Sequence, residues 1–425
     1  MKDKLINTLK VVGPGIVFAS LAIGETHLAL LPYVGAVYGF ALLWLVVLVH
    51  IFYYPNFEYG PRYAAATGKT LVDGYSKTRT GRLLLYVFVL FMFITPPLIM
   101  SSLLGLSGSV LYAAIPAVSF RVWCVILFLV TISIVLGGKY KFVERVSKLM
   151  VLIIVLTALL TFLTSPPAPS DFFSGLTPAI PAVAGVMVVI VALLRVPTDP
   201  AISVFLSEWA VNKRAEWLEG SSENGKANLL QALKKSLFDI RVGMFLSCLV
   251  AIIFLSVGAT VLKPQGIIPK GIDISLKLSE IYTQTLGDWI FPVFIVTLFA
   301  AFWGGYLAAM DGIKRLFGDL VPRIIKSDDQ KTRKLTIGYL LLVTIAGLLM
   351  ATVIQRPMVM VLLAVSMGLI NYPLIFGLNI YCVTKLIDEE FRPGKLNLAV
   401  AILGFFLGVG GLVLLILVRV LKMFN

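Results

Sequence analysis

Residues 186–205 read Val186-Met187-Val188-Val189-Ile190-Val191-Ala192-Leu193-Leu194-Arg195-Val196-Pro197-Thr198-Asp199-Pro200-Ala201-Ile202-Ser203-Val204-Phe205. The apolar segment around them runs from about 178 to about 207, longer than the ~20 residues that one straight membrane crossing needs. Two opposite charges sit at its centre, where an ionisable side chain costs about 3 kcal/mol on insertion scales. Pro197 and Pro200 each remove a backbone donor and crowd the preceding turn. The segment therefore predicts a helix that opens at 195–200. In lipid, an opened backbone is tolerated only where it is buried in protein or lines a cavity.

A second interruption of the same kind lies upstream. Gly24-Glu25-Thr26-His27 places a carboxylate and an imidazole in the first long apolar segment. Interrupted helices whose free ends face a solute near the midplane are the mark of secondary transporters. The rest of the chain agrees with a membrane protein. Of its 425 residues 59% are hydrophobic and 14% charged, against about 25% charged in a soluble domain. Cys124, Cys248 and Cys382 all lie in apolar segments and form no CxxC pair, so a disulfide framework and a thiolate metal centre are not expected. Lys2, Lys4 and Lys10 precede the first apolar stretch as in a signal peptide. Its interrupted centre, its lack of a cleavage pattern and the spans that follow predict that it is retained.

Hydropathy predicts an all-α membrane protein with eleven transmembrane helices, at about 13–33, 38–60, 83–106, 120–137, 146–164, 178–207, 237–262, 288–310, 335–354, 357–383 and 397–420. Of the 36 Lys and Arg, 28 fall at the N-terminus and in the loops after the even-numbered spans up to the tenth. Only Arg121, Lys263, Lys270, Lys277, Arg356, Arg419 and Lys422 fall on the other side, and Arg195 alone is mid-membrane. The positive-inside rule then puts the N-terminus in the cytoplasm and the C-terminus outside, and the plasma membrane is the expected location. The net charge of +14 is mostly this loop bias, so nucleic acid is not an expected partner. The lipid bilayer and a small ion or solute are; the oligomeric state is not legible.

The two breaks are five spans apart, and an odd number inverts the second unit. The expectation is a single domain over 1–425, built as a 5+5 inverted repeat of about 13–164 and about 178–383, with an added helix at about 397–420.

Several motifs give the chain a likeness. Gly13-Pro14-Gly15 opens the first span, Gly35-Ala36-Val37-Tyr38-Gly39-Phe40 leads into Leu42-Leu43-Trp44, and Tyr63-Ala64-Ala65-Ala66-Thr67-Gly68-Lys69-Thr70-Leu71 closes the second. A small-residue run surrounds Gly304-Gly305 in the eighth. In order and spacing the chain resembles the NRAMP (natural resistance-associated macrophage protein) family of divalent-metal transporters. That resemblance implies a leucine-transporter-like fold with broken helices 1 and 6, and a divalent metal ion as substrate with no resident cofactor.

The site motifs depart from the family. Its first-helix Asp-Pro-Gly-Asn falls on Gly24-Glu25-Thr26-His27, so Gly24 stands for the Asp and His27 for the Asn. Its sixth-helix Met-Pro-His falls on Val196-Pro197-Thr198, with no methionine. Asn371-Tyr372-Pro373 keeps a polar-Pro pair in the tenth span, but Ala364-Val365-Ser366 ahead of it has no amide. No acid occurs between Leu83 and Leu106 and no base between Leu335 and Ile354, where family members often carry a proton relay.

The substrate-binding candidates are Gly24, Glu25, Thr26, His27, Arg195, Val196, Thr198, Asp199 and Asn371. Glu25 and His27 are the metal candidates, since carboxylate and imidazole suit manganese, iron or zinc. At i and i+2 they point apart on a regular helix, so such a site needs the break; Thr26, Thr198 and freed carbonyls would complete it. The structural alternative pairs Glu25 with Arg195 as a buried bridge and leaves His27 bonded to backbone. Arg195 repels a divalent ion but suits a carboxylate bidentately. It pairs with Glu25, with Asp199, or with an anionic or zwitterionic solute. Asn371 lines the pathway or bonds across helices. His50 is expected to be a core histidine with a backbone partner, Glu208 to be solvated, Pro96-Pro97 to kink the third span, and Glu58/Arg62 to form an i/i+4 bridge or gate. No HExxH, GxSxG or paired-Asp motif is present, which leaves little equipment for an enzyme. A non-transporting receptor or scaffold, its pore sealed by Arg195 and Glu25, is the remaining alternative.

Overall fold

The computed structural model describes residue 23 and residues 26–77, 81–137, 159–160, 162–183, 185–217, 226–269 and 287–419, with isolated positions near 149–156 and 275–283. Gly24, Glu25, the first half of the first span and most of the fifth lie outside the described residues. Among the described residues there is no strand.

The first span enters as a wide π-turn, Thr26–Leu30, followed by α1 (Leu31–Tyr38). Pro32 sits in the first turn of α1. Its ring crowds the carbonyl four residues back, at Leu28, and the turn there takes the wider spacing. Helix α2 (Leu43–Thr67) ends on a left-handed cap at Gly68, φ 69°, whose N–H donates to the Ala64 carbonyl at 2.8 Å. The short α3 (Leu71–Ser76) leads to α4 (Gly81–Ala114), which continues as helix through Pro96 and Pro97. Next come α5 (Phe120–Gly137), coincident with the predicted fourth span, and the short α6 (Pro169–Ser174).

The sixth span is two helices, α7 (Val186–Leu193) and α8 (Ile202–Trp217). Pro197 and Pro200 exclude α-helix between them, and the residues preceding them, Val196 and Asp199, are pushed towards extended backbone. Helix α9 (Lys226–Val257) closes with a π-turn at Gly258–Leu262. It is followed by α10 (Phe291–Ile324) and by α11 (Asp329–Ile354), whose N-cap Asp328 accepts the Lys331 N–H at 2.7 Å. The tenth span, read above as one segment, is divided. Helix α12 (Pro357–Gly368) gives way to a 3-10 turn at Leu369–Asn371 before α13 (Tyr372–Lys385). Pro373, in the first turn of α13, lacks the donor needed to continue α12. Helix α14 (Lys395–Arg419) is last.

Seven helices among the described residues are long and apolar enough to cross a membrane, and they lie within 86–114, 120–137, 228–265, 288–324, 329–354, 357–385 and 395–418. The sixth span fails that criterion because it is broken, and α2 because it carries His50, Asn56, Glu58 and Arg62; the first span is described only in part.

Packing divides the helices into two groups. One joins α1, α2, α8 and α9; the other joins α4, α5, α10 and α11, and α12 packs on α4. In the first group α1 crosses the π-turn of α9 at two glycines. A Cβ on Gly35 would overlap the Leu255 carbonyl, and one on Gly258 the Pro32 carbonyl. Small residues that let backbones meet are the usual means of helix packing in lipid, where apolar burial gives no advantage over lipid contact. The expected Glu58–Arg62 bridge is present and buried. Arg62 also donates to the Phe391 carbonyl at 2.6 Å, and Asn397 donates to Glu58 at 3.2 Å. The bridge thus ties α2 to the segment before α14 and to α14 itself. Glu208 is half-buried, not solvated, and sits in the field of Asp73, Asp319, Arg315 and Arg323. The helices carry those charges inward because α8 and α10 continue past the apolar spans.

Candidate functional site at the broken helices

Each charge in the sixth-span break lies at a helix end that favours it. Arg195 follows the C-terminus of α7, where the helix dipole is negative, and Asp199 precedes the N-terminus of α8, where it is positive. The Asp199 carboxylate accepts the Ala201 N–H at 2.9 Å, capping α8. Arg195 Nη2 is 3.6 Å from Asp199 Oδ2, and both residues are only 3% exposed. Of the expected partners of Arg195, the structure shows Asp199; Glu25 lies outside the described residues.

The divided tenth span meets this pair. Asn371 Nδ2 is 3.4 Å from each Asp199 oxygen, and the Tyr372 hydroxyl donates to the Thr198 carbonyl at 3.2 Å. Gly368 gives the room. A Cβ there would lie 2.8 Å from Asp199 Oδ2 and from Arg195 Cδ. Asn371 Oδ1 is buried without a hydrogen-bond partner among the described residues, a state that costs about 1–3 kcal/mol in a finished interior. From the first span, Thr26 Oγ1 lies 3.5 Å from the Pro197 carbonyl. The interruptions of the sixth and tenth spans therefore meet, and the π-turn of the first span reaches them through Thr26.

They converge at a cavity of about 60 Å³ between α4, α8 and α10. Arg195, Thr198, Asp199 and Asn371 line it together with Phe88, Met92, Ile99, Phe205 and Leu316. It extends from the breaks towards the lysine- and arginine-rich ends of α4 and α10 and touches both helix groups. Val196 belongs to the site only through its backbone: its side chain is fully buried and its N–H donates to Leu193.

His27 goes elsewhere. Its Nε2 lies 3.0 Å from both the carbonyl and the Oγ of Ser247 on α9, and its Nδ1 lies 3.1 Å from Thr26 Oγ1. The structure thus draws His27 to α9, and its pairing with Glu25 falls outside the described residues. Among the described residues no three His, Cys, Asp or Glu side chains cluster as a metal site. His50 has the expected backbone partner, Val46, at 2.7 Å.

A polar network below the break was not anticipated. Asn379 Nδ2 donates to Asn56 Oδ1 at 2.7 Å and to Ser203 Oγ at 2.8 Å, the Tyr75 hydroxyl donates to Asn379 Oδ1 at 2.5 Å, and Asn56 Nδ2 donates to the Pro200 carbonyl at 3.2 Å. It ties α2 and α13 to the start of α8, where the Pro200 carbonyl also accepts from Ser203. Asparagines inside apolar spans, at 56 and 379, were the available signal.

The sequence profile of the natural resistance-associated macrophage protein-like family matches residues 16–418. An uncharacterised protein of Pasteurella multocida (strain Pm70) is 25% identical over 396 residues, covering 91% of this chain and 87% of that protein. Among solved structures, the manganese transporter of Eremococcus coleocola in complex with an aromatic bis-isothiourea compound superposes with a TM-score of 0.73 at 12% identity, over 97% of this chain and 86% of that one. MHP1, a nucleobase-cation-symport-1 family transporter, gives 0.59 at 13% identity over 97% and 92%. A Na+-coupled sialic acid symporter gives 0.58 at 14% over 96% and 88%. At these identities the structures share a fold with this chain.

Proposed function

This chain belongs to the natural resistance-associated macrophage protein-like family, and on that premise we propose that it is a secondary transporter of the plasma membrane whose cargo is a divalent metal ion. The observation that carries the reading is the convergence of the sixth- and tenth-span interruptions on one cavity, with the π-turn of the first span set against Pro197. Thr26 meets Pro197, and Asp199 meets Asn371, at the head of a space bounded by both helix groups. Rocking of the group α1, α2, α8 and α9 against α4, α5, α10 and α11 opens that space to one face of the membrane and then to the other. The N-terminus lies in the cytoplasm, and the two halves of the chain form an inverted repeat. Oxygen donors for a hard cation are at hand in the Asp199 carboxylate and in Asn371 Oδ1, which has no hydrogen-bond partner among the described residues. Support for the cargo comes from the family and from the manganese transporter that shares the fold.

Arg195 favours a second cargo. Its guanidinium faces the same cavity beside Asp199, and the pair has the charges to hold the carboxylate and ammonium of a small zwitterion. Uptake of manganese into proteoliposomes, compared with protein-free vesicles and with Asp199→Asn, separates the two. Uptake that the substitution abolishes supports the metal. No uptake of manganese, iron or zinc by the native protein overturns it and leaves the zwitterion.

A further inference from the structure

The chain contains two histidines, and both are buried against one hydroxyl. His50 Nε2 lies 3.1 Å and His27 Nε2 3.0 Å from Ser247 Oγ, so the first span, α2 and α9 meet at a single oxygen. The rings stand at 88° with centroids 6.0 Å apart. His50 Nδ1 donates to the Val46 carbonyl, which has no proton to give, so the lone pair of the neutral ring is on Nε2, aimed at Ser247. A histidine that ligates a metal usually donates its other nitrogen to a carbonyl in this way.

We propose that His27 Nε2, His50 Nε2 and Ser247 Oγ form a binding site for a late first-row divalent cation such as zinc, separate from the Arg195–Asp199 cavity. Nitrogen donors suit that class, whereas calcium and magnesium prefer oxygen alone. Two imidazoles on one tetrahedral ion, with metal–nitrogen bonds of about 2.1 Å, place their ring centres about 5 Å apart. The observed ring spacing needs a closure of roughly 1 Å, and Ser247 Oγ, 3.0 and 3.1 Å from the two nitrogens, already stands near the separation of about 3.3 Å between ligand atoms on a tetrahedral ion.

His27 also makes the site communicate with the broken sixth span. Beside the Ser247 carbonyl, its Nε2 carries the proton, and Nδ1 accepts from Thr26 Oγ1. A metal on Nε2 requires the other neutral tautomer, with the proton moved to Nδ1. Thr26 Oγ1 then accepts from Nδ1 and its own proton turns to the Pro197 carbonyl, 3.5 Å away. Cation binding between α2 and α9 thereby strengthens a bond to the break between α7 and α8. The binding itself does not depend on the transport reading; only its use in transport does.

The test uses the full-length protein in detergent, titrated with zinc and, for spectroscopy, cobalt(II). The native protein should bind both, with the intense visible bands of four-coordinate cobalt. His50→Gln should weaken zinc binding at least about tenfold. Ser247→Cys should tighten it and add a sulfur-to-cobalt charge-transfer band, a gain that a misfolded variant does not produce. A cobalt spectrum of six oxygen ligands, or zinc affinity unmoved in both variants, overturns the site even if manganese uptake persists. Zinc binding that His50→Gln removes, in a protein that transports no metal, upholds the site and removes the cargo proposal instead.

Discussion

Asp199→Asn removes a charge and almost nothing else, and its cost follows from the geometry. The carboxylate caps α8 through the Ala201 N–H at 2.9 Å, faces Arg195 at 3.6 Å and takes Asn371 at 3.4 Å. An amide oxygen keeps the cap, so the ~1 kcal/mol of that bond is largely retained. The guanidinium, 3% exposed, loses the negative charge that stands 3.6 Å from it. Breaking a buried pair from one side costs about 3–5 kcal/mol. A single contact at 3.6 Å is looser than a bidentate pair at about 2.8 Å, which puts the expected loss near the lower figure, about 3 kcal/mol. In a chain of this length that lowers the melting midpoint in detergent by an amount on the order of 5 °C. Adding Arg195→Met removes the other half of the pair, so the double variant should melt closer to the native protein than Asp199→Asn does, with a coupling of about 2 kcal/mol. A single variant that melts with the native protein, or a double variant whose loss is the sum of the two singles, would refute the pair as the tie between α7 and α8.

Three further substitutions probe the surroundings. Gly368→Ala places a Cβ against Arg195 and Asp199 and should cost about 1–3 kcal/mol by overpacking, read as a lower melting midpoint with reduced uptake; native behaviour in both would mean that α12 does not close on the pair. Asn379→Leu removes the bonds to Asn56, Ser203 and Tyr75 and should lower stability by at least about 2 kcal/mol, checked by the same melt. Gly35→Leu overlaps the Leu255 carbonyl in the α1–α9 crossing and should yield aggregated protein in size-exclusion chromatography; a monodisperse peak of native yield would contradict the crossing.

The sixth-span break was legible because proline acts locally. Pro197 and Pro200 exclude helix whatever surrounds them, and the charges beside them marked the same place. Pro373 carried a similar signal in the tenth span, but no charged residue occurs between 357 and 383, so the division there went unread. Helix ends were misjudged for a related reason. Hydropathy marks only the length in lipid, whereas α2 continues to Thr67 and α10 to Ile324 on pairs such as Asp311–Arg315 at 2.7 Å. The Arg195–Asp199 pair is i, i+4 and was foreseeable from spacing. The destination of His27 was not, because Ser247 is 220 residues away and only the packing of α9 brings it near.

The claim on which the account rests is that the cavity at Arg195, Thr198, Asp199 and Asn371 is reached from each side of the membrane in turn. Thr198 lines it and is 8% exposed. Thr198→Cys, in a chain with Cys124, Cys248 and Cys382 replaced, tests this directly in oriented proteoliposomes treated with a membrane-impermeant thiol reagent. The account predicts labelling from either face, with cargo on one side shifting the balance between them. Labelling from neither face, in protein that is folded and correctly inserted, would contradict it.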